Sequence, residues 1–310
     1  MTMNPPDTRP ALWVGIAALI GIGALWGLGA PLIRFARLEG LTPFSIVLWQ
    51  SLIGLVVLAL VQAVRGRLVL PCDRASLELY AAVGLLGIVL PHLAGFWALG
   101  HIPASVHALL TSLVPIFAIV LALALRFERF EPVRALGIAL GALAVALLIL
   151  PQGSLPEAVP VIFIFVSALA PLCYALESAF VAHVSRAEAG ALQALLGGSL
   201  VAIVIMAPLT WATGEPLWPE GADPAVLAVF ASGAAGALAY AGYVALLRSA
   251  GSVFATQVAY LVTGWAMLWS ILLLGERPSA WVWLALVTLF AGLFLVQPRP
   301  KLAYLAPDPR

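Results

Sequence analysis

One carboxylate lies well inside an apolar stretch of this 310-residue chain. Glu177 shares a helical face with Tyr174 and Ser178, because residues three and four apart lie on the same side of a helix. An isolated carboxylate is costly in lipid, so it must face protein or water. The position predicts that Glu177 couples protons or binds a solute. The alternative is a side chain that reaches the membrane surface, which lies about 8 Å away by helical rise.

Two histidines lie in neighbouring apolar stretches. His92 directly follows Pro91, which removes a backbone donor and leaves a carbonyl free, as in the broken helices that line transport cavities. His92 is therefore a second candidate for carrying a proton or binding solute, and the alternative is a packing histidine. His107 lies one helical turn before Thr111 on the same stripe, but close enough to a helix end to be an interfacial residue instead.

Aromatic and amide side chains complete the set of candidates. Trp26 and Trp265 lie near mid-depth, away from the interfacial belt that tryptophan prefers. Gln257 is expected to satisfy its amide inside the bundle, either at the site or as a clamp between helices. The residues predicted to line a solute cavity are Trp26, His92, His107, Thr111, Tyr174, Glu177, Tyr240, Tyr243, Gln257, Tyr260 and Trp265.

The composition requires that lipid surround much of the chain. Hydrophobic residues make up 63% and charged residues only 9%, whereas soluble domains are about half apolar and about a quarter charged. Ten runs approach the roughly 20 residues that a helix needs to cross a bilayer, and lipid requires such segments to be helical. The predicted spans are 12–33, 43–64, 76–98, 103–125, 132–150, 159–182, 190–212, 224–247, 252–274 and 279–297. Glycine pairs such as Gly23/Gly27 and Gly137/Gly141 predict close helix contacts.

The basic residues predict the orientation of these spans. With the N-terminus inside, 12 of the 15 basic residues fall on inner segments. The three on outer segments are Arg34, Arg37 and Arg277. This bias places both termini in the cytoplasm, since cytoplasmic loops carry an excess of arginine and lysine. The twelve on inner segments are Arg9, Arg65, Arg67, Arg74, Arg126, Arg129, Arg134, Arg186, Arg248, Arg299, Lys301 and Arg310.

A constant offset of 148 residues relates the two halves of the chain. It carries Trp26 onto Tyr174, His92 onto Tyr240, and Glu128, after the fourth span, onto Glu276, after the ninth. Five spans per unit is an odd number, so the second unit must enter the membrane upside down. The sequence predicts an inverted repeat with units 1–153 and 154–310. Glu128 and Glu276 are expected to cap and anchor helix ends.

The ordered motifs resemble the drug/metabolite transporter superfamily, in its ten-helix EamA-type branch. The matching segments are Leu25-Trp26-Gly27, Ala108 to Pro115, Glu128, Gly137 with Gly141, and Leu274-Gly275-Glu276. The resemblance covers about residues 12–297. It implies two five-helix halves around a cavity lined by spans one, three, four, six, eight and nine. It also implies export, or less often import, of small organic solutes. The chain departs from the common pattern at Trp49-Gln50 and at Thr263.

These observations predict a secondary transporter, most simply an exporter, in a bacterial inner membrane. The aromatic candidates and the scarcity of charge favour a neutral, zwitterionic or partly apolar solute such as an amino acid. A lipid flippase or membrane sensor on the same scaffold is the alternative, with an intramembrane enzyme a distant third. No catalytic or metal-binding motif is present, so no metal, cofactor or enzyme activity is expected. Scattered basic residues predict no nucleic-acid partner. A monomer suffices, and a homodimer stays open.

Overall fold

The computed structural model describes residues 12–128, 130–150, 155, 159–183, 187–219 and 221–296. Within these ranges every regular element is helical and no strand is present. The predicted boundary between the halves, at 153/154, lies outside the described residues, as do both chain ends. So do the six basic residues at 9, 129, 186, 299, 301 and 310 that contributed to the predicted orientation.

Helices follow one another along both halves of the chain. The first half contains α1 (Leu12–Gly27), α2 (Gly29–Leu38), α3 (Pro43–Val64), α4 (Arg74–Ala82), a π-helix (Val83–Val89), α5 (Leu90–Leu99), α6 (Ala104–Thr111), α7 (Val114–Ala124) and α8 (Pro132–Ile149). The second half contains α9 (Ile162–His183), α10 (Ala191–Ala212), α11 (Pro224–Ala250), α12 (Ser252–Ala255), α13 (Val258–Leu274) and α14 (Ala280–Val296).

Eight helices within the described ranges are long and apolar enough to cross a membrane. They coincide with the first eight predicted spans, although the first, third and fourth are each built from consecutive helical pieces. The ninth and tenth predicted spans coincide with two shorter apolar helices, α13 and α14. The prediction of an all-helical membrane protein is therefore confirmed for the described residues. The number of crossings and the side of the termini stay predictions.

Proline interrupts the third span. The backbone N–H of Leu90 donates to the carbonyl of Leu85, five residues earlier, whereas an α-helical bond reaches four residues back. Pro91 has no N–H to donate, and its ring crowds the carbonyl one turn before it, so the regular ladder cannot continue. The interruption predicted at Pro91 takes the form of a π-helix, a widened turn that is often found at functional sites.

The two halves of the chain are packed into each other. From the second half, α9 contacts the π-helix, α5, α6 and α7 of the first half. In the same way, α11 contacts α1, α2 and α3, and α13 contacts α1, α2 and α6. Because helices of one half cover the apolar faces of the other, each half depends on its partner for burial.

Small residues bring helices of different halves into backbone contact, as the glycine pairs predict. A β-carbon on Gly137 in α8 would lie 2.7 Å from the carbonyl oxygen of Gly292 in α14. On α1, a β-carbon at Gly27 would lie 2.8 Å from the β-carbon of Trp265 and 2.9 Å from the backbone nitrogen of Ala266. Backbone atoms cannot rotate away, so these contacts require glycine.

We expect Gly137→Ala to destabilise the protein, because the new methyl group must push α8 and α14 apart. Adding methyl groups to a packed interior costs about 1–3 kcal/mol. The measurement is the midpoint of thermal unfolding in detergent. Gly21→Ala is the matched control, because no atom lies within 4 Å of a β-carbon built on Gly21. Equal midpoints for the two variants would contradict the close packing.

Candidate functional site

The carboxylate of Glu177 lies against the π-helix of the third span. A β-carbon on Gly87 would lie 2.7 Å from the Oε1 atom and 2.8 Å from the Oε2 atom of Glu177. The carboxylate therefore rests directly on the backbone of the widened turn, where only glycine leaves room for it. The widened turn and Glu177 come from different halves of the chain, so the contact forms between the two repeats.

Two tyrosines lie near this carboxylate, and further aromatic side chains contact one of them. Tyr174 lies one turn before Glu177 on α9, and the phenols of Tyr174 and Tyr240 are both close enough to interact electrostatically with Glu177. The Trp26 ring meets the Tyr240 ring edge to face, with ring centroids 6.2 Å apart. It lies tilted against the Tyr243 ring, with ring centroids 5.9 Å apart. We call these five residues the carboxylate–aromatic cluster: Trp26, Tyr174, Glu177, Tyr240 and Tyr243.

The two predicted histidines form a second group nearby. His92 and His107 are close enough to interact electrostatically, and His92 stacks on Phe96 with ring centroids 4.8 Å apart. The Nδ1 atom of His92 is buried and has no hydrogen-bond partner among the described residues. The Nδ1 atom of His107 forms a 2.8 Å hydrogen bond with the hydroxyl of Ser167. Of this pair, His92 keeps a free ring nitrogen for a proton or a solute.

Thr111 and Ser167 complete the histidine group. The hydroxyl of Thr111 donates to the backbone carbonyl of His107 at 2.9 Å, so it shares the stripe predicted for it. Sequence reasoning missed Ser167, which is fully buried. The sequence could have indicated Ser167 through its spacing from Tyr174. Seven residues are two turns of a helix, so Ser167 and Tyr174 lie on the same side of α9.

The remaining predicted residues make other contacts. Trp265 stacks on Trp269 with ring centroids 5.3 Å apart, and Trp269 donates to the carbonyl of Ala24 at 3.0 Å. Tyr260 meets Phe290 edge to face at 5.2 Å. Gln257 lies in the short turn between α12 and α13, not inside a regular helix. Trp265 and Tyr260 are therefore engaged in helix packing.

A polar network surrounds the connection between the third and fourth spans. The carboxylate of Glu276 accepts from the backbone N–H of Ala104 at 2.7 Å and of Ser105 at 3.1 Å, and from the Ser105 hydroxyl at 2.6 Å. A negative charge at a helix N-terminus is favourable, because the first N–H groups of the helix are unpaired. Glu276 caps a helix end, as predicted, but it caps α6, which begins 172 residues earlier.

Two arginines secure the other side of the same connection. Arg34 pairs with Glu276 at 3.2 Å and donates to the carbonyls of Leu99, at 2.9 Å, and Ile102. Arg37 donates to the carbonyl of Phe96 at 3.1 Å. These carbonyls lie at or just beyond the end of α5, where cations are favourable. The arginines that run against the predicted inner bias therefore have a structural role at this end. We call Arg34, Arg37, Glu276 and the start of α6 the outer clamp, after the side of the membrane that the sequence analysis predicts for this end.

A cleft of about 450 Å³ lies between α7 and α9. None of the predicted solute residues lines it. The lining residues are Ala118, Ala122, Leu125 and Phe127 on and just after α7, and Ala175, Ser178 and Ala179 on α9. The cleft is mainly apolar. Because residues 175, 178 and 179 share one side of a helix and Glu177 points away from it, the cleft and the carboxylate lie on different faces of α9.

Metal chemistry finds no support in the described ranges, where no group of three or more histidine, cysteine or acidic side chains could hold a metal ion. The described residues offer a carboxylate, aromatic rings and a histidine nitrogen without a hydrogen-bond partner. Groups of these types can bind an organic solute and exchange a proton.

Comparisons with known proteins agree with this arrangement. The model of the EamA-like transporter family matches the chain twice, over residues 13–150 and 161–297. A solved structure described as "Crystal structure of protein" is similar at a TM-score of 0.59 and 22% sequence identity, over 90% of this chain and 96% of that chain. This likeness concerns the fold alone. A comparison with curated proteins found no match. Both halves are covered by the family model, so the chain belongs to the EamA-like transporter family, within the drug/metabolite transporter superfamily.

Proposed function

We propose that the protein is a secondary transporter of ten membrane crossings, in which two inverted five-helix halves work by alternating access. The two family matches, one in each half, support this division. Helices α13 and α14 have 17 residues each, about 25 Å of helix, which approaches the thickness of the hydrocarbon layer. In this proposal both termini are cytoplasmic, and the outer clamp faces away from the cytoplasm.

The contacts between helix ends support the proposed inverted topology. The ends expected on the outer side meet one another: Glu276 lies on Ala104, and Glu215 accepts from Thr42. The ends expected on the inner side also meet, since the side chain of Gln193 donates to the carbonyl of Val69 at 2.8 Å. An odd number of crossings in each half is the simplest topology that places the helix ends of each contacting pair on the same side of the membrane.

One observation carries the proposed mechanism, namely that the two equivalent glutamates have different surroundings. The Glu276 side chain is 11% exposed and its partner Arg34 is 17% exposed. The equivalent Glu128 is 49% exposed and pairs with Arg134 of the helix that follows it, at 3.2 Å. Of these two equivalent glutamates, one is enclosed and paired with the other half, and one is exposed. This difference is expected of a transporter held in one of two states.

The offset also identifies what Glu128 would bind in the opposite state. It relates Ala104, the first residue of α6, to Ser252, the first residue of α12. We propose that closure of the inner end brings the Glu128 carboxylate onto the start of α12 while Glu276 leaves the start of α6. The charge of each carboxylate then stabilises a different closed end.

The carboxylate–aromatic cluster indicates the class of solute. An ammonium group is attracted both by a carboxylate and by the faces of tryptophan and tyrosine, whereas a polyanion would meet repulsion from Glu177. We propose a solute with an amino group and a partly apolar body, such as an amino acid or a related metabolite, and we propose export as the direction. Glu177 would hold either a proton or the solute, so that the two compete for one site.

Transport in liposomes tests the role of Glu177. We expect purified protein to move amino-bearing metabolites without ATP, with a rate that depends on pH. Glu177→Gln should remove the pH dependence and leave solute binding detectable, because the amide keeps the shape but cannot take up a proton. Glu78→Gln is the control, since Glu78 pairs with Arg74 on an exposed surface. An unchanged pH dependence in Glu177→Gln, or its loss only in His92→Gln, would rule out Glu177 as the proton carrier.

Hydrogen exchange tests the outer clamp. We expect Glu276→Gln to speed amide exchange at Ala104 and Ser105 about ten-fold or more, because a hydrogen bond to a charged group contributes about 1.5–3 kcal/mol. The measurement is mass spectrometry of peptides covering 100–106. Glu128→Gln is the matched control at the opposite end. It should leave these amides as protected as in the unaltered chain, and equal acceleration in both variants would contradict the proposed asymmetry.

A further inference from the structure

A pocket of about 280 Å³ lies at the end opposite the outer clamp and brings three arginines together. Arg65 and Arg67 follow α3, and Arg248 belongs to the last turn of α11. Gly190 and Gln193, at the start of α10, complete the rim. No acidic side chain lines this pocket.

The arginines of this pocket are free to bind a ligand. Among the described residues none of the three forms an ion pair, although Arg34, Arg74 and Arg134 elsewhere all do. All three arginines are exposed and line one small space. An anion in the pocket would be attracted by all three charges and could accept several charge-assisted hydrogen bonds.

The loop that carries Arg67 is held in place by two amide side chains. Gln62 is buried and donates to the carbonyl of Arg67 at 3.2 Å. Gln193 donates to the carbonyl of Val69 at 2.8 Å and accepts from the backbone N–H of Gly190 at 3.0 Å. These bonds fasten the loop to the start of α10, so Arg67 is fixed beside a helix N-terminus that also favours an anion.

The pseudo-symmetric site at the other end of the molecule shows which ligand chemistry suits this geometry. The offset relates Arg67 to Glu215, and it relates Gly190 and Gln193 to Thr42 and Ser45. At that other site, the Glu215 carboxylate accepts from the hydroxyls of Thr42 and of Ser45, the latter at 2.5 Å, at the start of α3. There the chain places a carboxylate of its own at a helix start. At the pocket, the equivalent position is Arg67, which would attract an anion from outside the chain.

The surroundings indicate a lipid as the source of the anion. Val64 is 90% exposed and Val69 is 83% exposed, and they lie on either side of Arg65 and Arg67. Apolar side chains next to arginines suit the membrane boundary, where acyl chains cover the former and headgroups pair with the latter. We propose that this pocket binds the phosphate group of an anionic phospholipid. Only the choice of leaflet, cytoplasmic, depends on the proposed orientation.

Native mass spectrometry of the full chain tests this proposal. The protein would be released from nanodiscs containing equal amounts of phosphatidylglycerol and phosphatidylcholine, and the bound lipids would be counted. We expect retention of phosphatidylglycerol over phosphatidylcholine. Arg67→Gln and Arg248→Gln should each weaken that preference about five-fold, the usual contribution of one basic residue near an anionic surface. Arg74→Gln is the control, because it removes a charge next to the same loop but outside the pocket.

Three outcomes would overturn the proposal. One is an equal retention of the two lipids by the unaltered chain. Another is a loss with Arg74→Gln as large as with Arg67→Gln. The third is displacement of phosphatidylglycerol by millimolar inorganic phosphate, which would identify a soluble anion as the ligand. The same measurement on Glu177→Gln should give the unaltered lipid preference, so a failure of the proposed transport function would not be mistaken for a failure of the lipid site.

Discussion

Polar groups inside a bilayer cannot bond to water, so those of this chain must find their partners within it. At the end of the third and fourth spans, where α5 and α6 are joined, the polar groups likewise find their partners within the chain. The carbonyls at the end of α5 are satisfied by Arg34 and Arg37 from the first span, and the N–H groups of Ala104 and Ser105 are satisfied by Glu276 from the opposite half. The turn between the third and fourth spans keeps this shape only while the two halves stay in contact.

The same requirement limits how such a protein can move. Pulling Glu276 from the start of α6 leaves a carboxylate, an arginine and several backbone groups without partners, so a partly open end is unfavourable and the two ends prefer to be either closed or open. A repeat provides a second carboxylate, Glu128, that can stabilise the alternative state. The chain therefore contains two chemically similar closures. An exposed Glu128 at one end and a largely enclosed Glu276 at the other are expected when one closure is in use.

Periodic and local features of the sequence predicted the fold well. Lipid makes helices obligatory, so the apolar runs located eight long helices and two shorter ones, and Pro91 located an interruption. The form of that interruption, a widened turn with Glu177 pressed on Gly87, was not predictable, because it depends on a helix 90 residues away in the sequence. Trp26 contacts Tyr240, and Tyr240 is close enough to Glu177 to interact electrostatically. Trp265 instead stacks on Trp269, because depth in the membrane does not determine which neighbours a ring contacts. Whether these residues line a solute cavity stays a prediction.

The central claim is that the outer and inner ends open in alternation, and a pair of distance measurements by electron paramagnetic resonance tests it most directly. In a chain with Cys72 and Cys173 replaced by serine, one spin-label pair would be placed at positions 38 and 277, beside the outer clamp, and another at positions 125 and 249, at the other end. When a transported solute is added, we expect the outer distance to lengthen as the inner distance shortens. Two distances that change in the same direction, or only one that changes, would contradict alternating access.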